Sequence, residues 1–148
     1  MSLHVIESRS PEETSRLGVQ WGRQAQCGWA IGLTGDLGAG KTQLVKGIAE
    51  GLGITNRIQS PTFTLIRSYN SGRLPLHHLD LYRLDSPSQI IGAGLEQYLY
   101  DRDGVTVIEW IERWFATPPS PFKLPYRHVQ IEWLNETERR IRYEDFGA

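Results

Sequence analysis

Apolar residues change their spacing several times along the 148-residue chain, and each change marks a structural element. Residues 3–7 read as a short strand. Ser10-Pro11-Glu12-Glu13 then supplies an N-cap, a proline at the first helical position and a glutamate three residues after the cap, so a helix is expected to start there. Leu17 and Trp21 lie four apart with Ala25 a turn later, an apolar stripe that Gly28 is expected to end. Residues 29–34 are a short, mostly apolar run closed by Gly35, the pattern of a strand buried on both faces of a sheet. From Lys41 the spacing turns helical again, through Leu44, Val45, Ile48, Ala49 and Leu52, until Gly53.

Residues 63–69 and 74–82 are β-rich runs joined by Asn70-Ser71-Gly72-Arg73, which predicts an antiparallel hairpin. Ser86-Pro87 opens a helical stretch carrying Ile90, Ile91, Leu95, Tyr98 and Leu99, expected to break in two at Gly92 and Gly94. A further buried strand follows at residues 105–108. The proline-rich residues 117–125 read as a loop, and residues 128–134 and 139–143 as a second hairpin turning at Asn135-Glu136-Thr137. Strand, glycine turn, helix, hairpin and buried strand predict an α/β fold, and with the glycine turn reading G-x-x-x-x-G-K-T over residues 35–42 they predict a P-loop NTPase-like mixed sheet with a parallel core, antiparallel hairpins and flanking helices, in one domain over residues 1–148.

Composition narrows the function classes. Lys and Arg number 16 against 17 Asp and Glu, a formal net charge of -1, so there is no bulk positive field to hold nucleic acid or an anionic membrane. The single cysteine, Cys27, can form no internal disulfide, and His4, His77, His78 and His128 fall into no zinc-site spacing with it. The first residues show no basic segment followed by an apolar one, and no window approaches the roughly 20 apolar residues of a membrane span. The expectation is a cytoplasmic protein with no membrane contact.

Gly35-Asp36-Leu37-Gly38-Ala39-Gly40-Lys41-Thr42 fits G-x-x-x-x-G-K-[ST] and lies between an expected strand and an expected helix. Glycines let successive backbone N–H groups turn around a phosphate, and the helix N-terminus adds its positive end. Lys41 would bridge the outer phosphates, and the Thr42 hydroxyl would bind Mg²⁺. The blander reading is a chance glycine turn. This composition yields on the order of 0.004 such matches by chance in the whole chain, before the strand and helix context is required.

A nucleoside triphosphatase also needs acids near its metal. Asp80 ends the expected strand that begins at Leu76, and Glu109 ends the apolar strand that begins at Val105. Ligands of open α/β sheets bind at the carboxyl ends of strands, so these two are the candidates; without the glycine loop, each would read as an ordinary solvated acid. Ser60-Pro61-Thr62-Phe63 stands where a switch segment would present a Thr to metal and γ-phosphate, or is a plain turn before a strand. His77 and His78 read as groups that pack or bond locally. Trp110 and Trp133 are aromatic side chains that either stack near a base or fill core.

Together GDLGAGKT (35–42), SPTF (60–63), HLDLYRL (78–84) and IEW (108–110), in this order, resemble the TsaE family, formerly YjeE, over roughly residues 10 to 115. These are small bacterial ATPases of tRNA threonylcarbamoyladenosine biosynthesis. The resemblance implies that ATP or ADP is held at Thr14, Leu37, Gly38, Ala39, Gly40, Lys41, Thr42 and Gln43. It implies Mg²⁺ on Thr42 and Glu109, with Lys41, Asp80, Glu109 and Thr62 serving hydrolysis and either Asp80 or Thr62 orienting the water. It implies the partners TsaD and TsaB, with tRNA reached only through that complex, and a role for hydrolysis in resetting or activating it rather than in the carbamoyl transfer. Where the family often continues G-K-T-T, this chain has Gln43. No motif matches the hairpin from Arg127 onward.

Two other readings share the glycine loop. In a nucleotide-operated binding module, exchange of ATP for ADP would change a partner surface without useful hydrolysis. A small-molecule kinase would need an acceptor pocket and a basic lid, and the Lys-poor loops after residue 84 offer no such cluster. A GTPase is disfavoured because no N-K-x-D sequence occurs.

Overall fold

The computed structural model describes residues 3–35, 40–59, 61, 64–100, 103–114 and 125–147, with the backbone alone at Leu99 and Tyr100. Among these residues, seven strands form one mixed sheet: β1 (Leu3–Ser8), β2 (Ala30–Thr34), β3 (Ile66–Tyr69), β4 (Leu76–Asp80), β5 (Val105–Glu109), β6 (Tyr126–Trp133) and β7 (Arg139–Phe146). Their spatial order is β1-β7-β6-β2-β5-β4-β3. β2, β4, β5 and β6 run parallel; β3 joins β4, and β7 joins β6 and β1, antiparallel. This is the expected mixed sheet with a parallel core.

Among the described residues, four α-helices flank it: α1 (Pro11–Gln24), α2 (Lys41–Gly51), α3 (Pro87–Gly92) and α4 (Glu96–Tyr100). Ser10 caps α1 by accepting from the Glu13 amide, while the Glu13 carboxylate reaches back to the Arg9 amide. Both bonds satisfy or fix N–H groups that a helix start would otherwise leave open. Ser86 caps α3 in the same manner, and Gly94, at φ 77, ends the turn between α3 and α4.

One helix end differs from expectation. α1 stops at Gln24, with Ala25 already extended, and Gly28 lies in the turn before β2. The cause is tertiary. Arg73, from the connection between β3 and β4, places Nη2 on the carbonyls of Gly22 at 2.8 Å and Ala25 at 2.9 Å, taking up acceptors that the helix leaves open. Its amide also donates to the Leu52 carbonyl at 2.7 Å, so one residue ties the ends of α1 and α2 together. The first hairpin is shorter than its apolar runs, because Leu65 adopts a left-handed backbone (φ 69) and the chain turns after Asp80.

α1 and α2 run side by side in the same direction, and they meet through glycine. Gly18 and Gly22 of α1 face Gly47 and Gly51 of α2. A Cβ on Gly47 would fall onto the Ser15 carbonyl, and one on Gly18 onto the Leu44 carbonyl. The spacing on both helices is four residues, which lines the bare backbone up along one ridge. Each helix also buries its apolar stripe on one face of the sheet, with Trp21 from α1, Ala25 just past its end, and Leu44, Val45, Ile48 and Ala49 from α2 against Ile31, Leu33, Val107 and Val129. Burial of each large apolar side chain contributes about 1.5–3 kcal/mol. The opposite face packs Leu79, Ile108 and Tyr126 against Ile90, Leu95 and Ile111, and Gly32 leaves room for the Tyr126 ring. Among the described residues, no helix is long and apolar enough to cross a membrane.

Candidate functional site

The site lies where the carboxyl ends of β2, β4 and β5 meet the start of α2. β2 is central, and the chain passes from it through residues 35–40 into α2. Gly40, the N-cap, holds φ 99, a left-handed conformation that glycine adopts without steric cost. Leu37, Gly38 and Ala39 lie outside the described residues, as does Thr62.

Lys41 opens α2 and is 4% exposed. Its ammonium donates to the Gly35 carbonyl at 2.6 Å and stands 4.0 Å from the centroid of the Trp110 ring. The indole face favours a cation there. Trp110 follows Glu109 directly and takes a left-handed backbone, φ 61 and ψ 43, uncommon for a bulky residue. Tyr82 packs beside it with ring centroids 5.0 Å apart. Thr42 and Gln43 are half-buried in the first turn of α2.

Period two along the strands decides which side the acids take. Val105 and Val107 point into the core beneath α2, so Glu109 projects to that same face, and Leu76 places Asp80 likewise on β4. Asp80 and Glu109 are register partners on these neighbouring strands, 4% and 5% exposed, and Glu109 is paired with Leu33 of β2 on its other side. Asp80 Oδ1 accepts from the Tyr82 amide at 2.9 Å, holding the turn that follows β4. The fold thus brings Lys41, Asp80 and Glu109 to one end of the sheet.

Thr14 is 2% exposed in the first turn of α1, and its hydroxyl shares a 2.7 Å hydrogen bond with Ser8. The parallel course of α1 and α2 sets that turn beside the start of α2. Trp133 ends β6 and is 51% exposed, with the Arg139 guanidinium 5.8 Å from its ring centroid. The Arg139 side chain also lies by Gly40, so the second hairpin, unassigned from its sequence, approaches the glycine turn.

His77 bonds locally, Nδ1 to Ser68 at 2.7 Å and Nε2 to Asp103 at 2.6 Å, and the imidazole holds the Asp103 carboxyl below its ordinary value. His78 does more than pack. Its Nε2 meets Glu109 Oε2 at 2.6 Å in a buried pair. The signal for this contact was present: His78 precedes Asp80 by two residues, and so shares the face that carries the acids.

The residues present suit a hard divalent cation. Mg²⁺ is bound through one or two carboxylates, water and substrate phosphates rather than by an all-protein cage. Two carboxylates and the Thr42 hydroxyl agree with that donor set, and among the described residues no cluster of three or more His, Cys, Asp or Glu side chains forms a closed metal site.

Residues 8–142 match the family model described as Threonylcarbamoyl adenosine biosynthesis protein TsaE. The chain belongs to the TsaE family. Two relatives named tRNA threonylcarbamoyladenosine biosynthesis protein TsaE are similar over most of their length. The one from a Nostoc species is 43% identical over 140 residues, 93% of this chain and 83% of that protein. The one from Bacillus subtilis is 48% identical over 143 residues, again 93% and 83%. The crystal structure of YdiB from Bacillus subtilis superposes with a TM-score of 0.78 and 34% identity, covering 99% of this chain and 87% of that one. Membership in the TsaE family thus rests on both sequence and fold.

Proposed function

We propose that this protein is the ATP-binding and ATP-hydrolysing member of the machinery that makes N6-threonylcarbamoyladenosine at tRNA position 37, acting with TsaB and TsaD in the cytoplasm. The names of its relatives support the pathway. The observation that carries the chemistry is the register of Asp80 and Glu109 on β4 and β5, on the face covered by the helix that Lys41 opens.

In this reading Lys41 exchanges the Gly35 carbonyl for phosphate oxygens, and the amides of the glycine turn complete the cradle. Thr42 and Glu109 would hold Mg²⁺, which when bound neutralises charge developing on the phosphates. Asp80 or Thr62 orients the attacking water, a contribution made by position rather than by covalent chemistry. Thr14, Leu37, Gly38, Ala39, Gly40 and Gln43 complete the nucleotide contacts. With a formal net charge of -1, the chain leaves the grip on tRNA to its partners.

Calorimetry with ATP and ADP, followed by phosphate release with and without TsaB and TsaD, tests this. Adenylate binding and a rate that rises with the partners are expected. Absence of any binding heat from folded protein would refute the nucleotide reading, and a rate indifferent to the partners would favour a passive binding module.

A further inference from the structure

The buried pair of His78 and Glu109 points beyond the site residues named so far. β4 sets His78 opposite Val107 and Asp80 opposite Glu109, so the imidazole must lean forward along the strand to reach the carboxylate. It does so at 2.6 Å with its side chain fully buried. The other ring nitrogen, Nδ1, is buried and has no hydrogen-bond partner among the described residues. A bare lone pair in that place is less costly than an orphaned N–H, so the ring proton belongs on Nε2, where the carboxylate accepts it. Oε2 of Glu109 is thereby committed to the protein, while Oε1 makes no hydrogen bond among the described residues.

Resting on the nucleotide reading above, we infer that His78 is a positioning residue for the cation site. Its Nε2–H fixes the rotamer of Glu109 and leaves one carboxylate oxygen directed to the divalent ion. A ligating carboxylate that is itself hydrogen-bonded holds its metal better, and loss of such an outer partner typically lowers metal affinity 10- to 100-fold. The ring is fully buried, so it neither touches the nucleotide nor ligates the ion.

The test measures Mn²⁺ affinity by electron paramagnetic resonance at saturating non-hydrolysable ATP analogue, beside ADP affinity in chelator. His78→Phe keeps the ring volume and loses the donor; His78→Gln keeps an N–H at a similar reach. The expected result is Mn²⁺ affinity about 10- to 100-fold weaker in His78→Phe and largely restored in His78→Gln, with ADP affinity in chelator unchanged in both. Mn²⁺ affinity within twofold of the unaltered protein in His78→Phe overturns the inference while leaving nucleotide binding intact. Failure of the unaltered protein to bind either nucleotide overturns the underlying reading instead. Should either variant not fold, ¹⁵N spectra of the unaltered protein decide: a ring protonated at Nε2 and bare at Nδ1 supports the inference, and the opposite tautomer refutes it.

Discussion

The Lys41 ammonium rests 4.0 Å from the centre of the Trp110 ring, and Trp110 reaches that position only by holding a left-handed backbone at φ 61. For a non-glycine residue this conformation costs about 1–2 kcal/mol. The strained residue sits immediately after Glu109, so the turn that carries the indole also terminates the strand that carries the acid. Strain of this kind gathers at functional sites, where the surrounding packing sustains it. Here it sets a cation against an aromatic face beside the glycine turn.

Replacement of Lys41 tests whether that cation serves phosphate. Lys41→Met preserves the packed stem and removes the charge. Hydrogen bonds to charged groups contribute about 1.5–3 kcal/mol, so ATP affinity should fall roughly 10- to 100-fold while the far-ultraviolet circular dichroism is unchanged. Calorimetry showing undiminished ATP affinity would remove Lys41 from the phosphate site.

The two strand-end acids should fail differently. Glu109→Gln is expected to abolish most Mg²⁺ stimulation of hydrolysis, because it alters the carboxylate proposed to hold the ion, yet to keep ADP binding in chelator. Asp80→Asn should retain Mg²⁺-dependent ATP binding and slow hydrolysis by about 10²–10⁴-fold, the range for a group that positions or activates the water. Steady-state phosphate release across a Mg²⁺ series separates them. Wild-type turnover in Asp80→Asn would leave Thr62 as the water-orienting candidate.

Two glycine-to-alanine substitutions should have opposite signs. Alanine is about 1 kcal/mol better than glycine within a helix, other things equal. At Gly47 other things are not equal, since the new methyl falls on the Ser15 carbonyl and α1 must move away from α2. Overpacking of this kind costs about 1–3 kcal/mol, so Gly47→Ala should lower the urea midpoint. None of the described residues lies within 4 Å of a Cβ at Gly92 in α3, and Gly92→Ala should raise stability by about 0.4–1 kcal/mol. Equal midpoints for the two variants would contradict the close approach of the helices.

Stability should also carry the mark of His128. Burial lowers its affinity for protons below the ordinary value of 6.5, against a smaller opposing pull from Glu144. The unfolded chain therefore binds more protons than the native one between 6.5 and the lowered value. Over that window stability falls as pH falls, and below it this contribution levels off. His128→Asn should flatten that part of the curve, measured by urea titration at pH steps from 7.5 to roughly 4.5. An unchanged slope would show that His128 titrates alike in both states.

Much of the candidate site is legible in the sequence. A strand, a glycine turn with Lys41 and Thr42, and a helix of period 3.6 are local patterns, and local steric and hydrogen-bonding preferences suffice to form them. Asp80 and Glu109 were also legible as candidates, because each closes an expected strand at its carboxyl end, where open α/β sheets bind ligands. The α1 boundary was not, since Arg73 reaches the helix end from about fifty positions away. Nor was the role of Gly18, Gly22, Gly47 and Gly51, for a glycine inside a helical pattern reads as a weakness until a second backbone is seen lying against it.

The amino-acid order alone determined the kinds of element, their succession, the phosphate-loop motif and the two acids that accompany it, because these follow from neighbours within a few residues. Only the tertiary structure decided that β6 lies beside β2, that Asp80 stands in register with Glu109, that Trp110 faces Lys41 and that His78 grips Glu109. Strand order and register are set by which faces can be buried together across the whole sheet, and no local pattern specifies that pairing.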